Sequence, residues 1–200
     1  MVIGKGMVSG KGAGAAVTAT ATLGLGLWVA GDQRPGPFEG GLQRWIIEEF
    51  SRDGLLLRLF LLPTEPYVLI PLIALMTFVC AARRRWDAVA LCLAGTLLPV
   101  ALNTWVLKPL FDRPLNGYLA YPSGHTVSLV ATLTVLTVLA RAGTARAVTA
   151  AVAVVVTVTA GIGLVGSGYH YPVDVIGGAC FAVAAVLTVS ILLGRLRVDR

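Results

Sequence analysis

The chain has 200 residues, of which 56% are hydrophobic and 13% charged, and its mean hydropathy is +0.82. A water-soluble domain of this size needs far more polar surface, so the composition excludes one and indicates an integral membrane protein. The formal charge of +6 does not indicate a nucleic-acid partner, because the basic residues sit in short clusters between apolar runs, as topology signals do.

Six apolar stretches are predicted to cross the bilayer as helices, since about 17–25 mainly apolar residues suffice. In chain order they cover residues 13–30, 67–82, 87–107, 126–140, 147–166 and 175–193. The first is rich in Ala, Gly and Thr. Lys5 and Lys11 resemble the start of a signal peptide, but no polar mature domain follows, so a retained helix is expected. The second and fourth are short and are expected to extend by a turn. The fourth and fifth are rich in Val and Thr, yet backbone groups in lipid must be satisfied within the segment, which favours helix. Cys80, Cys92 and Cys180 lie inside apolar runs without CxxC or metal-like spacing and read as packing residues. The expected fold is all-α, a six-helix membrane bundle forming one domain over residues 1–200.

Alternate connections differ in charge. Lys5 and Lys11, then Arg83, Arg84 and Arg85, then Arg141 and Arg146, then Arg195, Arg197 and Arg200 all fall on one side of a six-span chain. The positive-inside rule makes that side cytoplasmic, with both termini there. The other side receives the connection 31–66, in which "LQRWIIEEF" and "GLLLRLFLL" are predicted interfacial or re-entrant helices. It also receives "LKPLFDRPLNGYLAYPSGH" and "GSGYHYPVD", which hold both histidines of the chain.

Ser123, just before an apolar run, is a good helix N-cap. The same start, with Gly124 beside it, offers backbone N–H groups and a positive dipole end to an anion. In "HYPVD", Pro172 suits a first helical turn, and His170 and Asp174 are four apart. If that turn is helical, the carboxylate is expected to accept from one ring nitrogen and leave the other free. Singly, an interfacial histidine, a snorkelling Lys108 and a solvated Arg113 are unremarkable. Together they bring cations, two helix starts and a histidine–aspartate pair to one membrane edge, and the cations lack an anion. A phosphate group satisfies the set, with one histidine as nucleophile and the other as acid. No carboxylate cluster suited to a metal is visible, so no metal or other cofactor is expected.

These residues resemble the type 2 phosphatidic acid phosphatases, whose signatures are K-x6-R-P, P-S-G-H and S-R-x5-H-x3-D. "PSGH" at 122–125 matches in full, "HYPVD" supplies H-x3-D, and Lys108 begins the first block. The resemblance implies a phosphatase core over 67–193, with His170 attacking phosphorus to give a phosphohistidine and Asp174 orienting it. By the same resemblance His125 is expected to protonate the leaving oxygen, and Lys108, Arg113, Ser123 and Gly124 to hold phosphate. It implies a lipid phosphate substrate at the headgroup edge (a polyprenyl phosphate or diphosphate, phosphatidic acid or phosphatidylglycerol phosphate), with membrane lipids as surroundings and the site outside the cytoplasm. The chain departs from the family where Leu115 and Asn116 replace Arg-Pro, with Arg113-Pro114 two residues early, and where Gly163 and Leu164 replace Ser-Arg. Losing such a donor costs about two to three orders of magnitude in rate. Arg113, Arg34 and Arg44 are the candidate substitutes. A catalytically silent lipid-phosphate binder is the alternative; a transporter ranks lower, with no inverted repeat or mid-span charge pair visible.

Overall fold

Bilayer-length apolar segments dictate the architecture. In a computed structural model, which describes the backbone of residues 3–50 and 54–198 and the side chains of 10–50 and 54–194, they become helices throughout. Helix α1 (Ile3–Val29) is followed by α2 (Pro37–Phe50) and α3 (Gly54–Leu61), a 3-10 turn at Leu62–Thr64, and α4 (Pro66–Ala82). Helix α5 (Trp86–Leu102) runs through a π-turn (Asn103–Leu107) into a last turn, α6 (Lys108–Phe111). A hairpin of β1 (Pro114–Leu115) and β2 (Tyr118–Leu119) precedes α7 (Gly124–Leu139), α8 (Thr144–Gly166) and α9 (Pro172–Val198).

Among the described residues, five helical stretches are long and apolar enough to span a membrane: Gly10–Val29, Gly54–Ala82, Trp86–Phe111, Thr144–Gly166 and Pro172–Gly194. The shorter apolar helix Gly124–Leu139 is the sixth member of the bundle. All six stand where the hydropathy places them, and the Val- and Thr-rich segments are helical. Both loop patches are helices; a 3-10 turn and an extended Glu65 (ψ 138°) separate α3 from α4, and α3 packs against α8. The side chains of Lys5, Arg195, Arg197 and Arg200, used above to orient the chain, lie outside the described residues.

Helices α5, α7 and α9 form the centre, around a cluster that includes Cys92, Val127, Ala131, Val135, Ala182 and Val186. Helix α1 packs along α9, and α8 lies against α3 and α7. Without a hydrophobic effect between helices in lipid, small residues allow the close approach that dispersion needs. A Cβ on Gly95 would stand 2.9 Å from a Val135 methyl, and one on Gly161 3.0 Å from Val175. Large apolar side chains such as Trp28, Leu75, Phe78 and Val154 are exposed on the outside, where lipid receives them.

One element escapes the all-α description. Asn116 and Gly117 adopt positive φ (48° and 86°) and turn an antiparallel ladder pairing Pro114 with Leu119 and Leu115 with Tyr118. Asn-Gly is the sequence suited to such a turn.

Candidate active site

Three segments converge at the end of the bundle where α7 and α9 begin. In the first, Pro99 has no N–H to continue the α5 ladder, and the helix widens four residues later, Lys108 N donating to Asn103 O, five residues back. This buries Asn103, whose Nδ2 donates to Pro122 O at 3.3 Å and so braces the "PSGH" loop. The Lys108 amine donates to Leu119 O across the hairpin.

In the second segment Ser123 caps α7, its Oγ accepting from Thr126 N at 3.3 Å and from Thr126 Oγ1 at 3.0 Å. Its own N–H donates to Asp174 O at 3.0 Å, tying the starts of α7 and α9 together. That approach needs glycine: a Cβ on Gly178 would stand 2.8 Å from Ser123 O. The fully buried Tyr121 donates to Thr22 O at 2.5 Å, fastening the loop to α1.

In the third, α8 closes on Gly168 at φ +74°. Gly168 N donates to Val165 O and Tyr169 N to Leu164 O, so the chain turns back. His170 follows, and Pro172 opens α9.

These turns set the two imidazoles face to edge, with centroids 5.9 Å apart. His170 is buried, whereas His125 is exposed. The Tyr118 ring lies 6.1 Å from His170 on another side. The expected His170–Asp174 hydrogen bond is corrected by the geometry, since Nδ1 stands 3.7 Å from Asp174 Oδ2, too far for one. Each carboxylate oxygen has another donor: Tyr171 N reaches Oδ2 at 2.9 Å and Arg113 Nη1 reaches Oδ1 at 2.7 Å. The pair is close and oriented but not bonded.

Arg113 also departs from expectation. It is fully buried, and its terminal nitrogens hold carboxylates: Nη2 meets Glu39 Oε2 at 2.6 Å, and Nη1 meets Glu39 Oε1 at 3.2 Å as well as Asp174. Its guanidinium lies over the Tyr171 ring at 4.5 Å. Burial alone would lower its pKa, but the hydrogen bonds and charges of Glu39 and Asp174 outweigh that and hold it above its ordinary value. With both carboxylates in place it is not aimed at a phosphate. Glu39, in the first turn of α2, was not singled out in the sequence; it lies 74 residues from Arg113, and no local spacing connects them.

Gly124 and His125 line one space, and Lys108 packs beside Gly124. A Cβ on Gly124 would meet only Asn103 Nδ2 at 3.8 Å and Lys108 Cε at 4.0 Å. Ser123 stands behind as the fully buried cap. Arg34 and Arg44 are exposed on the α1–α2 connection and α2. Leu164 is buried, and its neighbour Gly163 packs against α3, where a Cβ would stand 2.9 Å from that of Phe60. The family arginine position is thus taken up by helix packing. From His125 and Gly124 a cavity of about 610 Å³ runs down between α4, α5 and α7, lined by apolar side chains including Leu69, Ile73, Leu97 and Val100. Among the described residues, no group of three His, Cys, Asp or Glu side chains is arranged to hold a metal ion.

The chain has the fold of a transmembrane PAP2 protein, with the starts of α7 and α9 tied together at one end of the bundle. Residues 103–197 match the model of the PAP2 superfamily, in agreement with the resemblance carried by the motifs. Among solved structures the chain is similar to the first transmembrane PAP2 type phosphatidylglycerolphosphate phosphatase from Bacillus subtilis. The two share 19% identity and superpose with a TM-score of 0.75 over 93% of this chain and 98% of that one. The likeness is one of fold. No curated protein matches the sequence.

Proposed function

We propose that the protein is a metal-independent lipid phosphate phosphatase that works through a phosphohistidine. The observation that carries the reading is the juxtaposition of the chain's two imidazoles, with ring centroids 5.9 Å apart, where α7 and α9 begin. One can act as nucleophile and the other as proton donor to a phosphate group held at that edge.

In this reading Nε2 of His170 attacks phosphorus, its Nδ1 facing Asp174. As the N–P bond forms, the P–O bond to the leaving group breaks, and His125 gives its proton to that oxygen. His125 then takes a proton from water, which attacks phosphorus and releases His170. Asp174 stabilises the imidazolium. The Lys108 amine and the leading N–H groups of α7 receive the phosphate oxygens. Arg113 acts behind Asp174 and does not touch the phosphate.

The apolar cavity beside His125 supports a lipid substrate, its tail lying between α4, α5 and α7 while the phosphate meets the histidines. Polyprenyl phosphates and diphosphates, phosphatidic acid and phosphatidylglycerol phosphate all have that form. By the positive-inside rule the site faces away from the cytoplasm. The test is phosphate release from this panel in EDTA. Wild type is expected to turn over at least one lipid and His170→Ala none. An inactive wild type, or an unimpaired His170→Ala, refutes the assignment.

A further inference from the structure

The geometry points to Glu39 as a positioning residue that keeps Asp174 negatively charged in effect, and so keeps His170 nucleophilic. The inference rests on the phosphatase reading and extends it to a residue in a different helix.

Asp174 and Arg113 would by themselves form a neutral buried pair, with side chains fully buried and 2.7 Å between charged atoms. A guanidinium that close cancels most of the carboxylate's field at His170, whose Nδ1 is 3.7 Å from Asp174 Oδ2. An aspartate so neutralised has little left with which to stabilise the imidazolium that forms when His170 bonds to phosphorus. Glu39 changes the sum. Its Oε2 lies 2.6 Å from Arg113 Nη2, so two carboxylates share one cation and the cluster keeps a net charge of −1. Burying a second carboxylate is costly unless its oxygens are paired. Here both are: Oε2 by Arg113, and Oε1 by Arg113 Nη1 at 3.2 Å and by Val173 N at 3.0 Å. The last bond holds Glu39 against the first turn of α9, at the residue before Asp174. Glu39 therefore contributes both charge and orientation, and α2 is part of the reaction centre's support.

The charge count sets the test. Glu39→Gln keeps the shape and an acceptor for Val173 N–H but leaves the cluster neutral. Glu39→Gln/Arg113→Gln removes one charge of each sign and returns the net charge to −1. With the panel lipid that wild type hydrolyses fastest, Glu39→Gln is expected to lower kcat about 10- to 100-fold, with KM within about 2-fold, the scale of a unit charge near the reacting group. The double variant is expected to recover at least part of that loss. A purely structural clamp predicts the opposite, because removing its second member weakens it further. Wild-type kcat in Glu39→Gln, or a double variant no faster than the single one, overturns the inference while leaving the phosphatase reading intact. A wild type that turns over no lipid overturns both. If Glu39→Gln is recovered unfolded, the double variant, which leaves no buried cation or carboxylate in excess of the original balance, is compared with wild type directly. A kcat within about 10-fold then supports the charge account, and a loss as large as that of His170→Ala overturns it.

Discussion

Two glycines at the mouth of the site lead to opposite outcomes when each is changed to alanine. At Gly124 the new methyl would contact Asn103 Nδ2 at 3.8 Å and Lys108 Cε at 4.0 Å, ordinary contact distances, and the backbone is not in the left-handed region. Folding should lose nothing and gain up to about 1 kcal/mol from the lower entropy of the unfolded chain. The methyl would, however, occupy the space in which phosphate oxygens approach the head of α7, so kcat/KM is expected to fall about 100-fold, the scale of one lost oxyanion donor. At Gly178 the methyl would stand 2.8 Å from Ser123 O, a backbone atom that cannot rotate away. Overpacking of this kind costs about 1–3 kcal/mol, and activity should fall with stability. Thermal unfolding in detergent and phosphate release, measured on both variants, separate the two effects. A Gly124→Ala protein with wild-type kcat/KM, or one whose stability falls as far as that of Gly178→Ala, refutes the anion cradle.

Filling the apolar cavity should distinguish tail from headgroup. Ser128→Phe, on the α7 face that lines it, is expected to raise KM for a long-chain lipid phosphate about 10-fold or more while sparing a short soluble phosphomonoester; equal effects on both argue against a tail groove. Sidedness is open to labelling. Ser167→Cys is exposed at the His125 end of the bundle, and the native Cys80 and Cys92 are buried. An impermeant maleimide should modify Ser167→Cys in intact cells, with Cys180 replaced by Ala, and labelling only after permeabilisation reverses the proposed orientation.

The bundle was legible because hydropathy is a local property: each apolar stretch announces its own helix, and lipid removes the strand alternative for the Val-rich α8. The helix starts were equally legible, since Ser123 and Pro172 carry their capping chemistry in adjacent residues. Partner choice was not. Arg113 looked like a cation awaiting an anion because its two carboxylates lie 74 and 61 residues away. The His170–Asp174 spacing correctly brought the pair together. It did not disclose that Tyr171 N and Arg113 occupy the carboxylate oxygens. The hairpin turned by Asn116-Gly117 is only two residue pairs long, too short for strand periodicity to mark it within an apolar membrane pattern.

The ties that complete the site are long in sequence. Tyr121 is fastened to Thr22 across 99 residues, and Val173 to Glu39 across 134, while α1 finds its main packing partner in α9. During synthesis the early helices therefore enter the membrane before the surfaces they will bind exist. Glu39 and Arg113 are made while Asp174, the second carboxylate on the Arg113 cation, is still untranslated. Loop-closure entropy opposes such distant contacts until the intervening helices are packed. Assembly and site formation thus coincide: a fragment that stops short of α9 lacks Asp174, so neither the Arg113 cluster nor the surroundings of His170 are complete before the last helix is in place.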